Sequence, residues 1–300
     1  DFDHLYGWLI NIMPTSVKPK NSEIEFAAVN LFFMEANGNS WRVQKQYQPY
    51  FYVMAPFHIE KFHENQKIRN IEKVTKLDIN YGGEREAYKL TFANVSDLMD
   101  VRKLVRAEPN AELREADVMY YQRFCIDNDI HVAFWYDIYN DDGEIILKHD
   151  VAHEAPPQPR VLAFDIECSK EPLQFPNENT DEIMMISYMV DGEGFLVTNR
   201  QWFSKDIESF EYSPLEYYCK FTVWNCPDER SMLEKWFDHI NEIKPHIMVT
   251  FNGDYFDWPF IDKRARINHL SLYQRVGFRN NGNDEFLSLF APHIDCLRWV

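Results

Sequence analysis

The fold of the second half of the chain is decided by one stretch, VLAFDIE at residues 161–167. Its four leading residues are apolar, which predicts a buried strand that runs into Asp165 and Glu167. Because side chains alternate along a strand, these two carboxylates leave the same face. A two-metal nuclease needs such a pair to hold two divalent ions roughly 4 Å apart. The same spacing recurs at Asp191 and Glu193, in a predicted turn, so this pattern alone does not establish a metal site.

A second apolar run, residues 247–251, ends in a polar stretch, NGDYFD at residues 252–257. In parallel α/β sheets, ligands gather outside the carboxyl ends of the strands, so we expect Asp257 to meet the first two carboxylates there. The alternative is helix capping, in which Asn252 or Asp254 satisfies free backbone N–H groups. Together, the two stretches favour a metal site more strongly than either does alone.

The remaining elements of this half predict a ribonuclease-H-like α/β sheet. Residues 183–190 and 195–198 are predicted to form strands that continue from residues 161–167 as an antiparallel meander. Residues 228–243 have apolar positions at helical spacing between two prolines, which indicates a crossover helix. The strand at residues 247–251 follows this helix and is expected to lie parallel to the first strand.

A proline-rich stretch, APPQP at residues 155–159, marks the domain boundary, because consecutive prolines neither continue a helix nor join a sheet ladder. We therefore predict a β-rich N-terminal domain over residues 1–155 and an α/β domain over residues 156–300. The middle of the first domain predicts the order β-α-β-β-α, typical of an α+β, ferredoxin-like or RNA-recognition-like unit. Its aromatic strand from Tyr47 to Tyr52 would stack bases on such a sheet, although the pattern favours a partly buried strand.

The composition excludes several classes of protein. The chain has 48 acidic and 31 basic residues and a formal net charge of −17. This charge argues against a histone-like or RNA-packaging role, but not against a nuclease site built from carboxylates. No apolar run approaches the ~20 residues of a membrane span, so no membrane partner is predicted. The five cysteines form no C-x-x-C pair, which favours reduced intracellular thiols over a zinc knuckle or a disulfide framework.

Two motifs carry a resemblance to a known family. FDIE at residues 164–167 resembles the first exonuclease motif of the family B DNA polymerases, and residues 252–257 resemble the second. This resemblance implies that Asp165, Glu167 and Asp257 are three of the four metal-binding carboxylates of a 3′→5′ proofreading exonuclease. It also implies two Mg²⁺ ions at that site, with Mn²⁺ as a substitute.

The resemblance further implies a site for the DNA strand. Asn252 and Phe256 would help to hold the frayed 3′ end, and the loop at Phe175 and Pro176 would line the single-strand channel. Without the resemblance, Phe175 and Pro176 would be interpreted as no more than a turn after the first strand.

The same resemblance predicts that part of the site lies elsewhere. The fourth carboxylate of this class is an Asp with a Tyr four residues earlier, and no such pair follows Asp257. Asp295 lies on an apolar strand without that partner and is expected to be structural. We therefore expect the third exonuclease motif and the polymerase domains beyond residue 300, and an inactive fragment. The parent would perform DNA-templated synthesis with proofreading in the nucleus, together with DNA and replisome subunits.

Three alternatives stay open on the sequence alone. One is a free-standing exonuclease of the DEDD type. Another is a polymerase of the delta branch, because Cys168-Ser169 stands where the most similar branch carries two threonines and a Cys is more typical of delta. The third is a nucleic-acid-binding module, in which the RNA-recognition-like half grips nucleic acid beside a degenerate nuclease fold.

Overall fold

The computed structural model describes residues 2–80, 82–141, 143–212 and 218–300. The chain forms two compact units. The first comprises Asp1–Glu35 and Trp41–Pro156, and the second comprises Pro157–Val300 together with Ala36–Ser40. The chain leaves the first unit between Pro156 and Pro157, within the proline-rich stretch.

The first unit contains two sheets and two helices. Its elements are β1 (His4–Val17), β2 (Phe26–Met34), β3 (Ser40–Gln46), β4 (Tyr50–Met54), β5 (Ile68–Asp78), β6 (Gly83–Phe92), α1 (Val95–Arg106), β7 (Leu113–Arg114), α2 (Tyr120–Asn128), β8 (Trp135–Asp141) and β9 (Glu144–His149). One sheet has the order β3-β2-β1-β8-β9 and the other the order β5-β6-β4-β7. Helix α1 buries Leu98 and Val101 against Phe51 and Leu90 of the second sheet.

The sequence predicts one strand over residues 41–53 and another over residues 131–136, and both differ from the structure. The predicted strand over residues 41–53 is two strands, β3 and β4, which belong to different sheets. Pro49 lies between them and has no N–H to donate to a ladder, so the chain leaves one sheet there and enters the other. The predicted strand over residues 131–136 begins only at Trp135, because residues 132–134 form a turn in which Ala133 has a positive φ of 66°.

The second unit is built on one large sheet with helices. Its elements are β10 (Val161–Cys168), β11 (Ile183–Val190), β12 (Glu193–Asn199), β13 (Phe210–Tyr212), β14 (Cys219–Cys226), α3 (Glu229–Ile243), β15 (Ile247–Thr250), α4 (Asp257–Ile267), α5 (Leu272–Val276), β16 (Phe278–Asn280), β17 (Phe286–Ser288) and β18 (His293–Asp295). The seven strands of the sheet have the order β13-β14-β12-β11-β10-β15-β18, and β16 and β17 form a separate hairpin.

This order confirms the predicted ribonuclease-H-like sheet. Strands β10, β11 and β12 form the antiparallel meander, and β15 lies parallel to β10 after the crossover helix. Strand β18 continues the sheet parallel to β15. Strand β14 was not predicted: it pairs parallel with the outer edge of β12 and extends the sheet by one strand, with β13 at its edge.

Helix α3 buries one face of the sheet with its apolar side chains. Asp228 accepts a hydrogen bond from the Ser231 N–H and caps the helix, and Trp236 and Phe237 are buried on its inner side. The Trp236 ring lies 5.0 Å from that of Phe164 on β10. The helices therefore cover one face of β10. In the described part of the chain, no helix has the length and hydrophobicity needed to cross a membrane.

Candidate active site

The two acidic residues of β10 share the face that the core does not use. Side chains alternate along the strand: Phe164 and Ile166 are buried, whereas Asp165 and Glu167 are exposed. Because the apolar set packs in the core with the helices, the two carboxylates are turned to the opposite face.

Asp257 is the first residue of α4, and its side chain reaches β10 between those two residues. Its Oδ1 accepts a hydrogen bond from the backbone N–H of Ile166 at 3.2 Å. The charge of the neighbouring Asp165 also acts on this carboxyl group. Only 2% of Asp257 is exposed. The structure therefore brings Asp257 to the strand segment that carries Asp165 and Glu167.

The environment of Asp257 is unfavourable for a negative charge. Burial and, second, the charge of Asp165 raise the pKa of Asp257 from 3.8 to about 7, although the bond from the Ile166 N–H acts in the opposite direction. The raised pKa favours the protonated form of Asp257. A divalent cation would supply positive charge that favours the ionised form instead.

The donor set fits a hard divalent cation, although the side chains are not arranged around one. Carboxylate oxygens are the ligands that suit Mg²⁺ and Mn²⁺. Among the residues that the structure describes, no three His, Cys, Asp or Glu side chains are grouped so that they could hold a metal ion. The charge of Asp165 raises the pKa of Asp257, so a cation bound by both carboxylates would relieve this repulsion. Burial raises the pKa of the Cys168 thiol, and the charges of Asp257 and Glu167 add to this, so the thiol stays protonated.

Asn252 and Phe256 lie in the loop between β15 and α4, and their surroundings differ from those of Asp257. Asn252 has a positive φ of 65° and is partly buried, and its carbonyl oxygen accepts the N–H groups of Tyr255 and Phe256. The Phe256 ring packs against the core, 5.7 Å from the Phe260 ring. The capping interpretation of Asp254 is wrong, because α4 has no side-chain cap and Asp254 accepts the N–H of Phe286.

Phe175 and Pro176 lie in the segment that joins β10 to β11. The Phe175 side chain is 94% exposed, so it projects into solvent and does not pack beside Asn252 or Phe256. Pro176 is partly buried. The exposed Phe175 ring therefore has almost no contact with the rest of the protein.

A polar network that the sequence did not predict lies next to the 252–257 loop. Asp254 bonds to Arg298, and His293 lies between Asp254 and Trp258. Asp295 bonds to the loop backbone. The one sequence signal was the polar residues in the apolar stretch HIDCLRWV, at residues 293–300.

In the aromatic strand of the first unit, lysine side chains lie over the rings of Tyr50 and Tyr52. Lys89 lies over the Tyr50 ring at 4.1 Å, and Lys76 lies over the Tyr52 ring at 3.8 Å. The Tyr50 hydroxyl donates to Asp127 at 2.6 Å. Both tyrosines are partly buried, which favours the partly buried strand over the RNA-recognition-like surface.

A family model described as DNA polymerase family B, exonuclease domain, matches residues 111–299. The chain therefore belongs to the family B DNA polymerases, as the two motifs predict. Three stretches, residues 181–189, 247–260 and 293–300, further predict a similarity to the catalytic subunit of DNA polymerase epsilon, and the curated relatives confirm it.

These relatives are catalytic subunits of DNA polymerase epsilon from fungi. The chain is 39% identical to that of Emericella nidulans and 37% identical to that of Yarrowia lipolytica, in each case over 98% of this chain and 15% of the relative. It is 33% identical to that of Schizosaccharomyces pombe over 98% of this chain and 16% of the relative. The chain thus spans about a sixth of the length of the relatives.

The fold also matches a solved structure. The family B DNA polymerase of the hyperthermophilic archaeon Pyrobaculum calidifontis aligns with a TM-score of 0.75 at 18% identity, over 98% of this chain and 37% of that chain. This similarity supports the mixed α/β fold of the present chain.

Proposed function

We propose that this chain is the N-terminal and proofreading-exonuclease part of a replicative DNA polymerase of the epsilon type. The parent protein would perform DNA-templated DNA synthesis and 3′→5′ exonucleolytic proofreading. The observation that carries the proposal is the docking of Asp257 on the Ile166 N–H, between Asp165 and Glu167, within a family B exonuclease domain.

The three carboxylates would hold two Mg²⁺ ions, which supply an activated water and stabilise the leaving oxygen during hydrolysis of the terminal phosphodiester. The chain itself contributes the placement. Strand β10 fixes Asp165 and Glu167 on one face, and the Ile166 N–H fixes one oxygen of Asp257. The other oxygen of Asp257 would then serve as a cation ligand.

The strand to be cut would approach from the side of the 252–257 loop. Asn252 and Phe256 are partly buried beside Asp257 and would hold the frayed 3′ end. The exposed ring of Phe175, with Pro176, would pack against the single strand once DNA is bound. The net charge of −17 favours capture of DNA by other parts of the parent protein.

The proposal includes the setting of the parent protein. The polymerase domains of the same protein and the primer 3′ end would be its immediate partners, and other replisome subunits would assemble with it. Replication of this kind places the protein in the nucleus. The names of the curated relatives support this assignment.

The experiment compares two double variants of the full-length polymerase. Replacing Asp165 and Glu167 by Ala removes both strand ligands, so digestion of a 3′-labelled single strand in Mg²⁺ should fall by several orders of magnitude while primer extension is retained. The matched control is Asp206→Ala with Glu208→Ala, which has the same spacing but lies in an exposed segment.

Two results would contradict the proposal. Unchanged digestion in the Asp165 and Glu167 variant would place the exonuclease elsewhere. Equal loss of digestion and primer extension would indicate a folding defect in place of a lost metal site.

A further inference from the structure

The carboxylate of Asp295, on the neighbouring strand β18, holds the loop that carries Asn252, Phe256 and Asp257. Asp295 ends β18, where it lies opposite Thr250 at the end of β15. Its Oδ1 accepts the N–H of Asn252 at 2.7 Å, and its Oδ2 accepts the N–H of Asp254 at 3.0 Å. Asp295 is 4% exposed. Both of its oxygens are therefore used to hold the backbone of this loop.

The chain turns too sharply here for the sheet to satisfy these N–H groups. Asn252 has a left-handed φ of 65°. A Cβ at Gly253 would lie 2.3 Å from the Thr250 Oγ1, so only a glycine fits against the strand end. Backbone N–H groups that leave a ladder inside a protein need another partner. Asp295 supplies two charge-assisted acceptors at once, and these fix the direction in which the loop leaves β15.

The residue that follows Asp257 in α4 is also held by a hydrogen bond. Trp258 follows Asp257, and its indole N–H lies 3.1 Å from the Nε2 of His293. Because an indole N–H is only a donor, this Nε2 carries no proton, and the Nδ1 carries the proton of the neutral ring. That Nδ1 lies 3.4 Å from the Oδ1 of Asp254. Residues of the 293–298 segment therefore hold the chain on both sides of Asp257.

The positively charged side chain of Arg298 completes this network. The Nε of Arg298 donates to the Oδ2 of Asp254 at 2.8 Å, and the Phe286 N–H donates to the Oδ1 of Asp254, also at 2.8 Å. The Asp254 carboxylate is thereby paired and satisfied although it is 4% exposed. Both oxygens of Asp295 accept loop N–H groups, so this carboxylate holds the loop backbone.

We propose that Asp295 is a positioning residue for the exonuclease site. Its contacts with the Asn252 and Asp254 N–H groups set the place from which Asp257 reaches the Ile166 N–H. Asp295 touches neither the DNA strand nor the ions. The proposal rests on the proposed function, because the geometry that Asp295 maintains matters only if Asp257 is a ligand. A displacement of a catalytic group by about 1 Å costs on the order of 100-fold in rate.

The test uses the full-length polymerase with Asp295→Asn. The amide keeps one acceptor oxygen but turns a donor toward the second N–H group, so the loop loses one of its two contacts. The exonuclease rate should fall roughly 10- to 100-fold, and the Mn²⁺ concentration for half-maximal digestion should rise. Primer extension should be unchanged, and Asp295→Glu should restore part of the exonuclease rate.

Two further measurements separate positioning from stability and from the proposed function. The control is Phe237→Leu, a change in the core on α3, which should lower the unfolding temperature without this loss of rate. Hydrogen exchange should rise in the peptide that contains Ile166 in Asp295→Asn, but not in the control. This readout needs no enzymatic activity.

The outcomes are distinguishable. A loss of rate no larger than that of Phe237→Leu, or unchanged exchange at Ile166, would overturn the positioning role of Asp295. Digestion that survives Asp165→Ala would overturn the proposed function instead, and the exchange at Ile166 would still decide whether Asp295 holds Asp257 in place.

Discussion

Asp257→Asn should stabilise the protein in the absence of divalent ions, and only above about pH 4. An Asn at this position has the shape of a protonated Asp. Its oxygen can still accept the Ile166 N–H, so the observed hydrogen bond of the native side chain is kept, and its neutral amide can donate to the neighbouring Asp165. The variant removes only the buried negative charge that the native protein acquires when Asp257 loses its proton.

The magnitude follows from the pKa of Asp257, which rises from 3.8 to about 7 on folding. Below the lower value the carboxyl is protonated in both folded and unfolded chains, and the substitution should be neutral. Between the two values the unfolded chain ionises first, so the free energy of unfolding of the native protein falls as the pH rises. Three pH units at about 1.4 kcal/mol each set an upper limit of about 4 kcal/mol. Sharing of the charge between Asp257 and Asp165 reduces the expected gain to about 2 kcal/mol.

The assay is urea unfolding in EDTA at pH 5 and pH 8, followed through the fluorescence of the buried Trp236 and Trp258. Asp257→Asn should raise the midpoint at pH 8 much more than at pH 5. Added Mn²⁺ should then stabilise the native protein more than the variant. A gain of equal size at both pH values would refute the reasoning, because it would show that the charge of Asp257 carries no cost. The exposed Asp206→Asn serves as the matched control and should change neither midpoint.

Three other results are expected. Glu229→Gln should lower the free energy of unfolding by about 3–5 kcal/mol in urea titrations, because it leaves the buried guanidinium of Arg264 without its bidentate partner at 2.6 and 2.9 Å. Gly253→Ala should lower both the unfolding temperature and the exonuclease rate, since its Cβ would overlap Thr250, whereas Gly83→Ala has open space around it and should be neutral in both assays. The 300-residue chain on its own should digest a 3′-labelled single strand in Mn²⁺ hardly at all; robust digestion that is abolished by Asp165→Ala would contradict this.

The order of the second unit could be predicted because its signals are local. The alternation that exposes Asp165 and Glu167 lies within one strand, and the apolar spacing of α3 lies within one helix. The right succession of strand, hairpin and crossover helix then leaves few sheet topologies to choose from. Strand β14 was not predicted because its apolar side chains do not all lie on one face. Phe221 packs with Leu196, whereas Trp224 stacks on Phe195.

The hydrogen bonds that hold the site residues in place could not be predicted, because the bonded residues are distant in sequence. Asp295 meets the Asn252 N–H across 43 residues, and Asp257 meets the Ile166 N–H across 91. Neither spacing is a local pattern. Each contact exists because two strands become neighbours in the sheet, so Asp295 could be placed on an apolar strand from the sequence but not assigned a partner.

Asp254 and Asp257 show why the residue type and its burial do not identify a ligand. They lie in the same six-residue stretch and are 4% and 2% exposed. Asp254 is paired with Arg298 across 44 residues, which makes it a satisfied structural ion pair. Asp257 instead faces a second carboxyl group, that of Asp165, and its pKa is raised. A buried carboxylate set against another carboxylate costs stability, and such an arrangement is typical of sites that bind a cation. The partner of each side chain, and not its position in the motif, therefore distinguishes the proposed ligand from its neighbour.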